Sequence, residues 1–396
     1  MRLHHPTADA RSCTEQSSAG MLRRLRAPAA VAAAFVMTVA LTATAAPAAA
    51  GPPPVRCGAV LTADTTLRAD LTCPGDALTV AADGITVDLR GHTVRGSGAG
   101  TGITIVEHRS VRVRNGTVTA FATDVLVDTA QDITLTGLTL TQAGGDGLKL
   151  RDTDTARFEA GSLRSARLVT DGSVDIVVDQ AHVDHSPLIF IDSFSPAVTH
   201  SVLTDSYVNF SETSDGAVAA STLTRSPVFI VLCARTAVRH NLIAAADPGV
   251  LLGATATGTQ VIGNTFTGDT IGVLLESPLV DLVDGTTVSH NVFRDNAAAG
   301  VLFDTPGVQS GGSVVIDHNQ FVHNGFAAAG RTDHLGNPVA DGLHVAVPAG
   351  GTIRVAHNVT RRNTRYGIFA VPGTVIDGGG NVSVADPLGC LGVVCR

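Results

Sequence analysis

The stretch SHNVFRDNAAAGVLFD occupies residues 289–304, and its pattern recurs on both sides. Upstream is GNTFTGDTIGVLLE (263–276); downstream are DHNQFVHNG (317–325) and AHNVTRRNTRYGIFA (356–370). Each repeat sets an Asn two residues before a further core position, then a polar turn. In three of the four a Gly opens an alternating apolar run. Extending the alignment upstream gives one column: His92, Gly116, Leu138, Gly161, Ala181, Ser201, Ser221, Asn241, Asn264, Asn291, Asn319 and Asn358. The gaps are mostly 20 to 28 residues, with a last gap of 39. Two residues after each position lies an apolar residue, such as Val183, Leu203, Leu223, Ile243, Phe266, Phe293 and Phe321; Thr360 alone breaks that column.

A period of about 20 residues built from short β-rich runs and turn residues is the mark of a solenoid. The runs are too short and too evenly spaced for strand–helix–strand units, and no amphipathic helix lies between them. Three short strands and three turns fill one such repeat. The sequence therefore predicts an all-β, right-handed parallel β-helix of about twelve rungs, whose stacked coils share one core. A β-sandwich would need a regular series of hairpin turns, which is missing. In this reading Asn supplies left-handed turn geometry and a ladder of amide hydrogen bonds. The Gly before VLLE and VLFD lets the chain turn into its next strand.

The chain has 396 residues. Residues 1–20 read as an upstream extension from a misassigned start, and 21–50 as a signal peptide: a basic start, an Ala/Val-rich stretch, and Ala48-Ala49-Ala50 before Gly51. The mature chain is expected to be secreted and extracellular, with no membrane span after signal removal. It keeps 22 Lys and Arg against 33 Asp and Glu. That balance argues against nucleic acid or anionic lipid as a partner. Trp is absent and there are only two Tyr, which counts against an ordinary aromatic sugar-binding module. Five Cys remain. Cys57/Cys73 and Cys390/Cys395 are close pairs at the two ends, and Cys233 lies in the apolar run PVFIVLCA. An oxidising compartment permits disulfides. Residues 51–91 are read as an N-terminal cap with the first rung, 92–380 as the β-helix and 381–396 as a C-terminal cap.

The end segments CGAVLTADTTLRADLTCPGDALTVAADGITVDLRGHTVRG (57–96) and GGNVSVADPLGCLGVVCR (379–396), with the rungs between them, resemble the secreted actinobacterial right-handed β-helix repeat proteins. That group belongs to the pectate-lyase-like superfamily. The resemblance implies the fold. It leaves the activity open among lyases, glycoside hydrolases, epimerases, adhesins and tailspikes. The Asn-Thr-Asp, Asp-Asp, Gly-His-Gly and Arg-Ile-Lys motifs of polygalacturonase-like hydrolases do not occur.

Candidate sites come from column alignment of the 20-residue rungs. Asp192 and Glu212 share one column at adjacent strand ends; Asp152 joins it, and Asp171 is displaced by one. Two carboxylates on neighbouring rungs have the spacing of a retaining glycosidase pair and could also hold Ca²⁺, though no cofactor is required. His185, Asp205 and Arg225 form a second column, and Tyr207 and Asn209 lie between the two. These are the candidate catalytic (Asp192, Glu212) and substrate-binding (His185, Asp205, Tyr207, Asn209, Arg225) residues. Outward polar columns also arise simply because a solvated surface needs them. His240, His290, His318 and His357 each precede a turn Asn and would be metal ligands only if they converged. The excursion 324–345 offers Arg331, Asp333, His334, Asp341 and His344. Three functions stay open: binding or organising an extracellular polysaccharide or cell-wall polymer, cleaving one as a lyase or hydrolase, and handling a metal.

Overall fold

In a computed structural model, residues 54–142, 144–276, 284–305, 313–348 and 352–396 are described. The signal-peptide and upstream segments fall outside them. The described chain is all β: a parallel solenoid whose every named strand pair is parallel. Each coil has three strands on three faces. Face one is a single sheet of 15 strands running from Ala59–Leu61 to Cys390–Leu391. Faces two and three join at one corner, because strands Arg112–Thr119 and Gln131–Thr141 run across it.

Fifteen strands on one face make about fourteen turns, somewhat more than the twelve counted from the Asn column. The difference lies at the ends. Residues 59–61 and 78–80 already pair in register on face one, and Val382–Val384 and Cys390–Leu391 continue the coil at the other end. The disulfides are Cys57–Cys73 and Cys390–Cys395, and Cys233 is buried with a free thiol. Closing the 16-residue separation at the N-terminus is worth about 3 kcal/mol in the chain-entropy model.

Strand alternation drives the core. Val183, Leu203, Leu223 and Ile243 stack inward in register and are at most 2% exposed. Farther along, Phe266, Phe293 and Phe321 stack with centroids 4.8 and 5.0 Å apart. These contacts join residues at least 20 positions apart, so no rung can bury its apolar side chains alone.

The turns solve a different problem. An N–H or C=O inside a tight buried corner has no water to meet. Asn241, Asn264, Asn291, Asn319, Asn358 and Asn381 fill one corner, one above the next. Each amide oxygen accepts the backbone N–H of the Asn one rung before it at 2.8–3.1 Å and that residue's amide N–H at 3.0–3.2 Å. The other amide hydrogen goes to a strand carbonyl, for example Val238 at 2.8 Å. In earlier rungs the hydroxyls of Ser201 and Ser221 accept the N–H groups of Ala181 and Ser201, and the Asn241 amide oxygen accepts that of Ser221. A second ladder, Asn296–Asn324–Asn363, runs up another corner.

The ladder confirms one role assigned to Asn and corrects the other. The left-handed residue is the one before it: His240, His290, His318 and His357 have φ of 53–58°. The Gly reading also changes. Gly272 and Gly300 do not need positive φ; a Cβ at Gly272 would sit 2.6 Å from the Gly300 carbonyl oxygen of the next rung and 2.6 Å from the Phe293 ring. They are Gly because backbones approach closely there. Thr360, the break in the apolar column, is fully buried and donates its hydroxyl to Asp386 at 2.5 Å.

Asp386 ends the second ladder as an acceptor of the Asn363 N–H and amide at 2.7 and 3.0 Å. Asp269 stands at that ladder's other end. It accepts the Ala246 N–H at 2.8 Å and sends its own N–H to Asn296, but its Oδ2 is buried without a partner. Burial pushes its carboxyl up to about 8, only partly offset by the Ala246 donation. A raised carboxyl contributes stability that is complete below its unfolded value and lost as pH rises through the folded one. Asp269→Asn is therefore expected to match the wild type near pH 4, gain on it progressively up to about pH 8, and level off above, by a few kcal/mol at most. Urea midpoints at pH 5 and 9 check this; a constant difference between the two would contradict it.

Candidate functional site

Face one is where the candidate residues gather. In its strands Leu188–Ile191, Val208–Ser211 and Val228–Val231, Leu188, Phe190, Val208, Phe210, Val228 and Ile230 point inward and are fully buried. The alternate positions Ile189, Asn209, Phe229 and Leu251 stack outward in register. Tyr207 packs edge-on against Phe229, centroids 5.9 Å apart at 67°. A half-exposed apolar strip with an aromatic pair and one amide thus runs along the outside of the coil.

Two turn columns border the strip. On one side are His185, Asp205 and Arg225, all left-handed. Arg225 grips Asp205 with two parallel contacts of 2.5 and 2.6 Å. That hydrogen-bonded guanidinium holds the Asp205 carboxyl below the usual range. His185 Nδ1 lies 2.9 Å from Asp184, and Nε2 3.9 Å from Asp205. Ligand atoms of Asp184, His185 and Asp205 lie within 4.8 Å of one another, so these are the residues that could hold a cation. Arg225 already occupies both Asp205 oxygens, and a cation there would have to displace it.

On the other border are Asp192 and Glu212, with φ of 44° and 55°. They occupy adjacent rungs as the alignment expects: Asp192 N–H donates to Ser211 O, the residue before Glu212, at 3.1 Å. Asp152 shares their column with Gly172 between, and Asp171 is offset by one. Asp192 and Glu212 are exposed, and neither carboxylate has a hydrogen-bond or ion-pair partner among the described residues. The two borders are far apart. From Asp205 to Glu212 is seven residues of mostly extended chain, a reach of up to about 23 Å. Arg225 and Glu212 therefore cannot act on one bond; they can only touch a ligand that crosses the face.

The histidine column is scaffold geometry. His290, His318 and His357 stack with centroids 5.0 and 4.8 Å apart and ring planes 4° and 14° from parallel. Parallel rings turn their nitrogens the same way rather than toward one ion.

The excursion packs onto face one beyond Leu251. Val339 is buried against Ile271, Leu274, Ala299 and Leu302, with Ala328 at the margin. Asp333 and His334 do not form a pair. His334 turns to Asp304, whereas Asp333 meets His344 at 3.0 Å. The other nitrogen of His344 faces Asp341 at 2.7 Å, and all three side chains are inaccessible. Burial opposes the charge of Asp333, but hydrogen bonds from Asn337 and His344 keep its carboxyl below the ordinary value.

Phe229, Ile189 and Leu251 were not among the sequence candidates. Positions 189, 209 and 229 are spaced by 20 like the core positions, but the run around 229 is apolar on both phases, so spacing alone does not mark which row faces out.

No family model matches the chain, and no curated protein sequence does either. Among solved structures the chain is similar to tailspike protein 3 of bacteriophage CBA120, at 12% identity and a TM-score of 0.47, over 84% of this chain and 55% of that one. It thus spans about half the length of the tailspike. It is also similar to a family 28 exopolygalacturonase of Yersinia enterocolitica, at 9% identity, TM-score 0.42, and 78% and 72% coverage. A third is the catalytic unit of a GH87 alpha-1,3-glucanase from Streptomyces thermodiastaticus, at 14%, 0.43, and 75% and 63%. These likenesses concern the coiled β architecture alone.

The inward and outward rows predict opposite behaviour for two phenylalanines. Phe210→Ala empties a core position and should cost about 3–5 kcal/mol. Phe229→Ala removes an outward ring and should cost well under half of that. Chemical unfolding of the two variants checks the register; equal costs would contradict it.

Proposed function

We propose that this is a secreted protein that binds or organises an extracellular polysaccharide or cell-surface polymer along face one. The observation that carries this reading is the outward Tyr207–Phe229 pair on consecutive rungs, with Asn209 beside it. The chain has 13 Phe, two Tyr and no Trp, and the fully buried Phe side chains serve the core. Placing an aromatic pair on the solvent side leaves apolar area in water, which asks for a partner that covers it. Aromatic faces stack on the C–H faces of sugar rings, and an amide offers donors and acceptors to hydroxyls. A strip repeating every strand spacing suits an extended polymer better than a small molecule. The acidic net charge disfavours nucleic acid.

The adjacent carboxylates Asp192 and Glu212 support a second reading, in which face one also cleaves the polymer as a glycoside hydrolase or lyase. A cation between them, Ca²⁺ foremost, would serve either reading.

One screen separates these. The protein is passed over a panel of insoluble and immobilised polysaccharides, with and without Ca²⁺, and both retention and new sugar ends are measured. Binding predicts retention that falls at least tenfold in Phe229→Ala without new ends. Cleavage predicts new ends that fall by orders of magnitude in Asp192→Asn and in Glu212→Gln, with melting temperatures unchanged. Retention indifferent to Phe229→Ala would remove the strip from consideration.

A further inference from the structure

We infer that the excursion across residues 325–340 is a latched cover over the second half of the face-one strip. This rests on the reading of that strip as a binding surface and adds how access to it is controlled. The outward column does not end at Leu251. It continues in register through Leu274, Leu302, His344 and Phe369. Ile189, Phe229 and Leu251 lie open, but Leu274 and Leu302 are 7% and 1% exposed because Val339 and Ala328 sit on them. One apolar row is thus part-exposed at one end and roofed at the other, and among the described residues the roof comes from the 325–340 excursion.

Beside these apolar contacts, polar ones tie the roof to the sheet. Asp333 belongs to the excursion; His344 belongs to the sheet strand Asp341–Ala346. Their contact of 3.0 Å joins cover to sheet, and Asp341 closes the other side of the ring at 2.7 Å. A neutral imidazole has one N–H, so for both contacts to be hydrogen bonds the second proton must sit on the ring or on a carboxyl. Phe369 stacks under that ring with centroids 4.4 Å apart. Arg365 Nη1 lies 3.8 Å from Asp341, and its guanidinium also donates to the Pro338 carbonyl of the excursion. His334 reaches Asp304 from the same segment. Asp333 and Asp341, Phe369, and Arg365 are the groups that face His344 and its partners. The segment carries left-handed Gly325, Gly330 and Gly336, which leave its backbone free to take another path once the latch is broken. A cover made only to fill the core would be held by apolar contacts alone; a polar contact at its centre is a place where it can be released.

The test uses the full chain and two probes that involve no glycan: trypsin, read by mass spectrometry as cleavage after exposed Arg331, and the fluorescence of 8-anilinonaphthalene-1-sulfonate. Asp333→Asn and His344→Gln are expected to raise the cleavage rate at least tenfold and to gain dye binding, with the thermal unfolding of the β signal shifted by only a few degrees. Leu335→Ala, which trims an exposed side chain of the same segment and leaves the contacts of Asp333 and His344 in place, is expected to stay within about twofold of the wild type. Should His344→Gln fail to fold, Asp333→Asn decides alone. Cleavage and dye binding at wild-type levels in Asp333→Asn would overturn the latch, and so would Leu335→Ala opening as far as Asp333→Asn. A glycan found by the panel should be retained more strongly by Asp333→Asn. If no glycan binds at all, the strip's assignment fails while the protease and dye results still decide the latch.

Discussion

A buried corner of backbone must find its hydrogen bonds within the protein, and in this chain each corner finds them in the rung above. The amide of Asn291 serves Asn264 below it and uses Asn319 above it. From Ser201 to Asn381 every rung carries a polar side chain at this one position, whereas Gly116, Leu138, Gly161 and Ala181 stand there in the earlier rungs. Where it is present, this column fixes the register more tightly than apolar stacking does. A slip of one residue would leave an apolar side chain and orphaned N–H groups in the corner, each costing about 1–3 kcal/mol. Everything outside the coil inherits this register. Ile189, Asn209 and Phe229 form a row because Ser186, Ser206 and Ser226 hold the corner before them in step.

Given a rigid register, function is left to what projects outward. Faces of a solenoid are flat and repetitive, so a site must come from a departure from the repeat. Two departures occur on face one. Aromatic and apolar residues take outward places in the middle rungs, and an insertion between 325 and 340 folds back over the later ones. The turn columns on either side supply charge, but Asp205 is already committed to Arg225 whereas Asp192 and Glu212 are uncommitted. The two borders are too far apart to share one small substrate. That separation is the geometric ground for proposing an extended ligand over a compact one.

Much of this could be read from residue spacing. The inward column through Val183, Leu203, Leu223 and Ile243 follows from rungs of equal length, and the paired cysteines from their positions at the ends. The Asn ladder followed from like residues recurring at one corner. The left-handed residue was harder, because Asn and the His before it are both tolerant, and only backbone geometry tells which one bends. The Phe229 row was hidden for a physical reason. Strand alternation is visible when one face meets water, but PVFIVLCA is apolar on both phases, so period two leaves no trace. The Asp333–His344–Asp341 network was beyond reach, since its members are joined by the path of an irregular segment that no repeat describes.

The amide ladders have a direction. Each ladder Asn before Asn381 hands a side-chain hydrogen to the next rung toward the C-terminus, so the small dipoles of successive amides add along the coil axis instead of cancelling. The C-terminal end of each ladder is its positive end, and a carboxylate stands there in both cases: Asp386 beneath Asn363, and Asp377 beside Asn381. This is the arrangement by which an acidic residue caps the positive end of an α-helix, realised with side chains in place of the main chain. It also makes the coil's growth vectorial. A rung carrying Asn can be copied in tandem between residues 264 and 358 without breaking the ladder. Asp386, whose carboxylate has no hydrogen to hand on, closes that run of amides.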